Sequence, residues 1–166
     1  MYKTALYPGS FDPVTRGHVD IIKRSSKMYD RVIIGICKNS IKTKAWFTDE
    51  EKSEMINEIL EKENINAEIK IFGGLLVDFI KNEKVDVLVR GLRAVSDFEY
   101  ELQFALTNKT LAKSIYETVF LSASREYLYL SSSLVKEIAQ NNGELNKFVP
   151  ENVEKRLIKK IKQMNL

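Results

Sequence analysis

The 166-residue chain holds one cysteine, Cys37, and one histidine, His18. A single cysteine excludes a disulfide framework. Its place in the apolar run Val32-Ile33-Ile34-Gly35-Ile36-Cys37 reads as a buried strand thiol and not a nucleophile. No apolar run approaches the roughly 20 residues needed to span a bilayer, and the opening residues lack the layout of a secretory signal; a cytoplasmic location is the expectation. Two nucleotide-loop signatures are missing. No Gly-x-Gly-x-x-Gly follows a strand, and no Gly-Lys-Ser/Thr closes a Walker loop. No His/Cys/Asp cluster has metal-ligand spacing, so a protein-built metal site is not expected. A Ser-His-Asp pattern and a reactive cysteine are also missing, which argues against a covalent intermediate. There is no repeat, low-complexity stretch or linker, and the length suits one domain.

Positive charge is in surplus by three, and it sits at one end. Residues 151–166 carry five Lys/Arg against two Glu, which leaves the rest of the chain neutral. A basic helix of this kind reads as a solvated face before it reads as a nucleic-acid surface.

What the chain does have is strand and helix in alternation. Strands are expected over 2–7, 31–37, 67–72, 85–89 and 117–121, the second apolar throughout as in a strand buried on both faces. Helices are expected over 17–29, from Asp49 onward, over 75–82, to about Ala112, over 133–140 and from Pro150 to the end. Thr48-Asp-Glu-Glu51 and Ser96-Asp-Phe-Glu99 each have the form of a capping box. Five alternations predict an α/β fold, a five-stranded parallel sheet with helices on both faces. Ligands of such sheets collect beyond the C-terminal strand edge.

The unusual residues fall at that edge. After the first strand comes Tyr7-Pro-Gly-Ser-Phe-Asp-Pro13, then Thr15-Arg-Gly-His18 at a helix start. A lone histidine there is ordinarily a cap or a packed side chain. Glycine directly before it leaves room for a ligand, and an imidazole able to donate two hydrogen bonds sits where the helix dipole favours an anion. Lys38, Lys42 and Lys44 follow the second strand and Gly73–Leu76 the third. Arg90-Gly-Leu-Arg93 follows the fourth, with forks that match phosphate oxygens. Tyr127–Ser133 follows the fifth, and Ser131-Ser132-Ser133 at a helix start offers hydroxyls and free backbone N–H groups, where a plain cap needs one serine. Asp12 and Glu101 are the nearby carboxylates. Cations and helix N-termini without a strong nucleophile suit phosphoryl or nucleotidyl transfer, in which the substrate brings its own nucleophile.

These motifs resemble the nucleotidyltransferases with a His-x-Gly-His-type motif. Arg90–Glu101, Ser131-Ser-Ser-Leu-Val-Lys136 and Phe148-Val-Pro-Glu-Asn-Val153 extend the likeness end to end to the phosphopantetheine adenylyltransferase family of bacterial coenzyme A synthesis. The resemblance implies a single Rossmann-like domain over 1–166, with the last helix, about 151–164, as an extension of it. It implies transfer of AMP from ATP to 4′-phosphopantetheine, giving dephospho-CoA and pyrophosphate, with Mg2+ carried by ATP, in a homohexamer. By the same likeness His18 stabilises the transition state, with Lys42 and Arg93 as its catalytic companions. Ser10, Phe11, His18, Gly91, Leu92, Arg93, Glu101 and Tyr127, Leu128, Tyr129, Leu130, Ser131, Ser132 and Ser133 would hold ATP. Ser10, Lys42, Leu76 and Arg90 would hold phosphopantetheine. Two departures stand out: Ser10 replaces a frequent Thr, and the loop Asn39-Ser-Ile-Lys42-Thr-Lys44 is one residue longer than the family's Asn-x-x-Lys-Lys, so Lys44 competes for the role of Lys42. Rival readings are a relative acting on nicotinamide mononucleotide or joining CTP to a polyol phosphate, and a non-catalytic nucleotide or nucleic-acid binder.

Overall fold

Five parallel strands stack in the order β3-β2-β1-β4-β5. The structure, a computed structural model, describes residues 3–38, 45–93, 95–113 and 115–164. The strands are β1 (Thr4–Gly9), β2 (Arg31–Cys37), β3 (Glu68–Phe72), β4 (Val87–Leu92) and β5 (Glu117–Ser122). The helices are α1 (Arg16–Met28), α2 (Asp49–Glu63), α3 (Leu76–Glu83), α4 (Val95–Leu111), α5 (Ser132–Gln140) and α6 (Glu151–Met164). The predicted α/β class and parallel sheet are what the chain adopts.

Period-two alternation sends neighbouring residues to opposite faces, and each face has its own helices. Ala5, Tyr7, Ile34, Ile36 and Val89 join Ile21 and Ile22 of α1, Met55 and Ile56 of α2, Val135 of α5 and Leu157 of α6 in one core. Leu6, Ile33 and Leu88 point the other way, onto Val77 and Ile80 of α3 and Ala112. The central strands are therefore apolar on both sides, as a doubly covered sheet requires.

Several boundaries shift from the sequence reading. β1 runs two residues further, with Pro8 and Gly9 opposite Gly35 and Ile36 of β2. β4 also runs on: Arg90, Gly91 and Leu92 pair with Phe120, Leu121 and Ser122 of β5. Gly is a poor strand former, but a neighbouring ladder overrides that local preference. Arg90 is thus held by a strand and not carried on a loop. The Thr48 box forms as expected, Thr48 N–H donating to Glu51 at 2.8 Å and Glu51 N–H to Thr48 Oγ1 at 3.1 Å. α4 begins at Val95, ahead of the expected Ser96 box, whose first side chains lie outside the described residues.

The basic last helix is not simply a solvated face. Val153 and Leu157 are fully buried, and Arg156 reaches back to Glu54 and Glu58 of α2 at 3.0 and 2.6 Å. Lys160 meets Glu51 at 3.2 Å. The sheet order reverses at β1, whose chain leaves toward β2 on one side while β4 lies on the other. Such a reversal opens a crevice at the C-terminal strand ends.

Candidate active site

That crevice holds a cavity of about 330 Å³. Ser10, Thr15, Gly17 and His18 enter it from the β1–α1 connection, Arg90, Gly91 and Arg93 from the end of β4, and Glu101 from α4. Tyr127, Leu130 and Ser131–Ser133 close it from the β5–α5 connection. Four separate stretches of sequence therefore meet at one strand edge.

The start of α1 explains how the imidazole is set. Thr15 is the N-cap and accepts the His18 N–H at 3.3 Å. His18 stands at N3, where a capping box usually has Glu or Gln, and its Nδ1 lies 3.0 Å from the Thr15 N–H. A backbone N–H can only donate, so Nδ1 accepts and the proton sits on Nε2. The ring can therefore donate one hydrogen bond, not the two counted from sequence. Burial first, and the charge of Arg93 second, push its pKa from 6.5 down to about 4. At neutral pH His18 is an uncharged Nε2–H donor.

Aromatic packing holds that ring. Phe11 is fully buried, with its centroid 5.1 Å from the imidazole in an edge-on contact. It reaches this place through a left-handed backbone, φ 47°. Gly9 makes room for it: a β-carbon there would stand 3.0 Å from the Phe11 ring. The sequence reading gave Phe11 a contact with ATP; its side chain is sealed in the core, so only its backbone can face a ligand.

Arg90 and Glu101, assigned above to different substrates, touch each other. Arg90 Nε and Nη2 both donate to the carboxylate, the latter at 2.7 Å, and the guanidinium lies over the Phe104 ring at 4.8 Å. Arg93 Nη1 donates to the Leu130 carbonyl at 3.1 Å and so ties β4 to the segment before α5. The three serines do different work. Ser131 caps α5 by accepting the Leu134 N–H at 3.1 Å. Ser132 donates to the Pro13 carbonyl at 2.8 Å. Ser133 is exposed on the first turn. All three line the cavity, so the first turn of α5 borders it.

Three further expected ATP contacts, Leu92, Leu128 and Tyr129, are not among the residues that line this cavity. Tyr129 is 83% exposed. Leu76 opens α3 and packs against the second core. Lys42 and its competitor Lys44 lie outside the described residues. Cys37 is half-buried at the end of β2, less enclosed than expected, and burial pushes its thiol pKa up.

Residues 6–138 match the Cytidylyltransferase-like family. The chain is 50% identical over 163 residues to the phosphopantetheine adenylyltransferase of Thermodesulfovibrio yellowstonii, covering 98% of this chain and 100% of that one. It is 47% identical over 160 residues to the enzyme of the same name from Clostridium perfringens, covering 94% and 96%. This chain belongs to the phosphopantetheine adenylyltransferase family. The fold is also that of Plasmodium falciparum nicotinic acid mononucleotide adenylyltransferase complexed with NaAD, with a TM-score of 0.73 at 15% identity over 96% of each chain.

In this phosphopantetheine adenylyltransferase family member, three features escaped the sequence reading. Thr15-x-x-His18 is itself a box, with histidine in the acidic position; the spacing was visible, the residue type was unexpected. Asp12, only 5% exposed, accepts from Trp46 N–H at 3.1 Å, from Phe47 N–H at 3.0 Å and from Lys136 Nζ. It joins the β1–α1 connection, the chain entering α2 and the helix behind the serines. Lys52 is 1% exposed on α2 and donates to Asp49 at 3.0 Å. A lysine following three acidic residues at a helix start reads as a solvated side chain and carries no sequence signal of burial.

Proposed function

We infer that this chain transfers AMP from ATP to 4′-phosphopantetheine, giving dephospho-CoA and pyrophosphate, by direct in-line attack with no covalent enzyme intermediate. The observation that carries the chemistry is the His18 arrangement: a neutral imidazole, its tautomer fixed by Thr15, aims one N–H into a cavity flanked by Arg90 and Arg93. The acceptor comes from the family, two members of which are 45% and 50% identical to this chain over 98% of its length.

An oxygen of the phosphopantetheine phosphate attacks the α-phosphorus of ATP. The bond from α-phosphorus to the bridging oxygen breaks, and pyrophosphate leaves with that electron pair. His18 Nε2–H donates to a non-bridging α-phosphate oxygen as charge builds there. Arg90 and Lys42 hold the acceptor phosphate, Leu76 the pantetheine arm, and Ser10 lies between the two substrates. Gly91 and Glu101 position the nucleotide. Arg93 and the α5 N-terminus receive the β- and γ-phosphates. Magnesium enters as part of the substrate, bound to ATP. Glu101 releases Arg90 in part when phosphate arrives, since its carboxylate occupies the same fork.

A homohexamer and a cytoplasmic setting go with this reading. Phe98, Tyr100, Leu106 and Leu111 of α4 are 41–65% exposed; exposed apolar side chains concentrated on one helix suit burial against further copies. Among the described residues no helix is long and apolar enough to cross a membrane.

The test is pyrophosphate release with MgATP and each candidate acceptor. Phosphopantetheine alone should support turnover; comparable release with nicotinamide mononucleotide, or with CTP and a polyol phosphate, would reject the assignment. Lys42→Ala should raise the phosphopantetheine KM or depress kcat, and a defect confined to Lys44→Ala would transfer the role.

A further inference from the structure

Tyr7 is a wall residue of the cavity to which the mechanism above gives no part. Strand alternation turns it to the α1 side of the sheet. Its ring meets Phe11 edge-on at 5.6 Å and lies 6.5 Å from the imidazole of His18. It is 7% exposed. Among the described residues, the sealed side-chain oxygens lacking a hydrogen-bond partner belong to Ser25, Tyr116 and Thr118. Tyr7 is not one of these, and no described residue bonds its hydroxyl. The phenol oxygen therefore opens onto the cavity.

Across from it, Gly91 leaves a niche. A β-carbon there would lie 3.7 Å from the Tyr7 hydroxyl and 3.4 Å from Ile21, contacts the protein could tolerate. The protein's own packing thus does not demand a glycine, and the space beside the hydroxyl stays open. Arg90 and Arg93 line the same cavity from the end of β4, and Glu101 lines it from α4. Burial outweighs the two arginines and keeps the phenol protonated well above its usual range. A neutral O–H in a cavity that two guanidiniums also line is a donor that finds its acceptor in an anion.

We propose that Tyr7 is a substrate-contacting residue whose hydroxyl donates a hydrogen bond to a phosphate oxygen held between Arg90 and Arg93, in the niche left by Gly91. The identity of the two phosphates rests on the adenylyl-transfer reading; the contact itself does not. Tyr7→Phe keeps the ring against Phe11 and His18 and removes one oxygen. Its kcat/KM should fall about ten- to a hundredfold, as for a hydrogen bond to a charged group, with the unfolding midpoint unchanged. Calorimetry with a non-hydrolysable ATP analogue alone, and with phosphopantetheine alone, assigns the phosphate: the arm that loses affinity carries it. If Tyr7→Phe turns over and binds both ligands like the wild type, the proposal is overturned. Should that variant fold poorly, 3-fluorotyrosine incorporated into the wild-type sequence gives a second measurement. The fluorine signal of Tyr7 should move when one of the two ligands binds, and a signal indifferent to both also overturns the proposal. A wild-type protein that binds the nucleotide but releases no pyrophosphate would sink adenylyl transfer while leaving this contact standing.

Discussion

Lowering the pH toward 4 should charge His18 late, and the titration can be read without ambiguity because the chain has one histidine. The imidazole Hε1 resonance should hold still from about pH 8 to roughly 5, where a free histidine would already have titrated near 6.5. Its midpoint should approach about 4. The stability consequence has a definite sign. Above pH 6.5 the ring is neutral in both folded and unfolded chains, and its contribution is complete. Between 6.5 and about 4 the unfolded chain takes the proton first, so stability falls as pH falls. At about 1.4 kcal/mol per pH unit the loss reaches about 3 kcal/mol. Denaturant midpoints across this window measure it. Arg93→Met should raise the midpoint only part of the way, since burial is the larger cause. In turnover, His18→Ala removes a donor used in the transition state. A cost of about 3 kcal/mol predicts a loss of roughly a hundredfold or more in kcat, with ATP binding changed far less. A midpoint near 6.5 in the folded protein, or near-wild-type kcat in His18→Ala, would refute the reasoning.

Two further substitutions test the frame around the ring. Asp12→Asn leaves Lys136 without its carboxylate and loosens the Trp46 and Phe47 N–H groups; a loss of about 2–4 kcal/mol is expected in urea unfolding, with a shift in the emission of the single tryptophan, and unchanged stability would dismiss the clamp. Gly9→Ala brings a β-carbon to 3.0 Å from the Phe11 ring; overpacking should destabilise by about 1–3 kcal/mol, and calorimetric scanning that shows partial relief by an added Phe11→Leu would locate the strain.

Much of this architecture is legible in the residues themselves. The run Val32–Ile36 announces a strand covered on both faces, and Thr48-x-x-Glu51 announces a helix start that forms as written. Gathering at the strand edge can be read as well, because a parallel sheet sends every following connection to the same side. What stays hidden depends on partners remote in sequence. The end of β4 cannot be read from Arg90-Gly-Leu92, since the residues that extend it lie on β5. Neither can the tie between Asp12 and Lys136, 124 residues apart. Phe11 is given an ATP contact only by the family likeness; its left-handed backbone, which turns the side chain into the core, leaves no mark in the sequence. The serines look equivalent and are not, because Pro13 claims one and α5 another.

The clasp between α6 and α2 has an electrostatic consequence. Arg156 and Lys160 find acids on the neighbouring helix, so part of the formal surplus is neutralised on the outside of the molecule. The attraction offered to passing polyanions is correspondingly weak there.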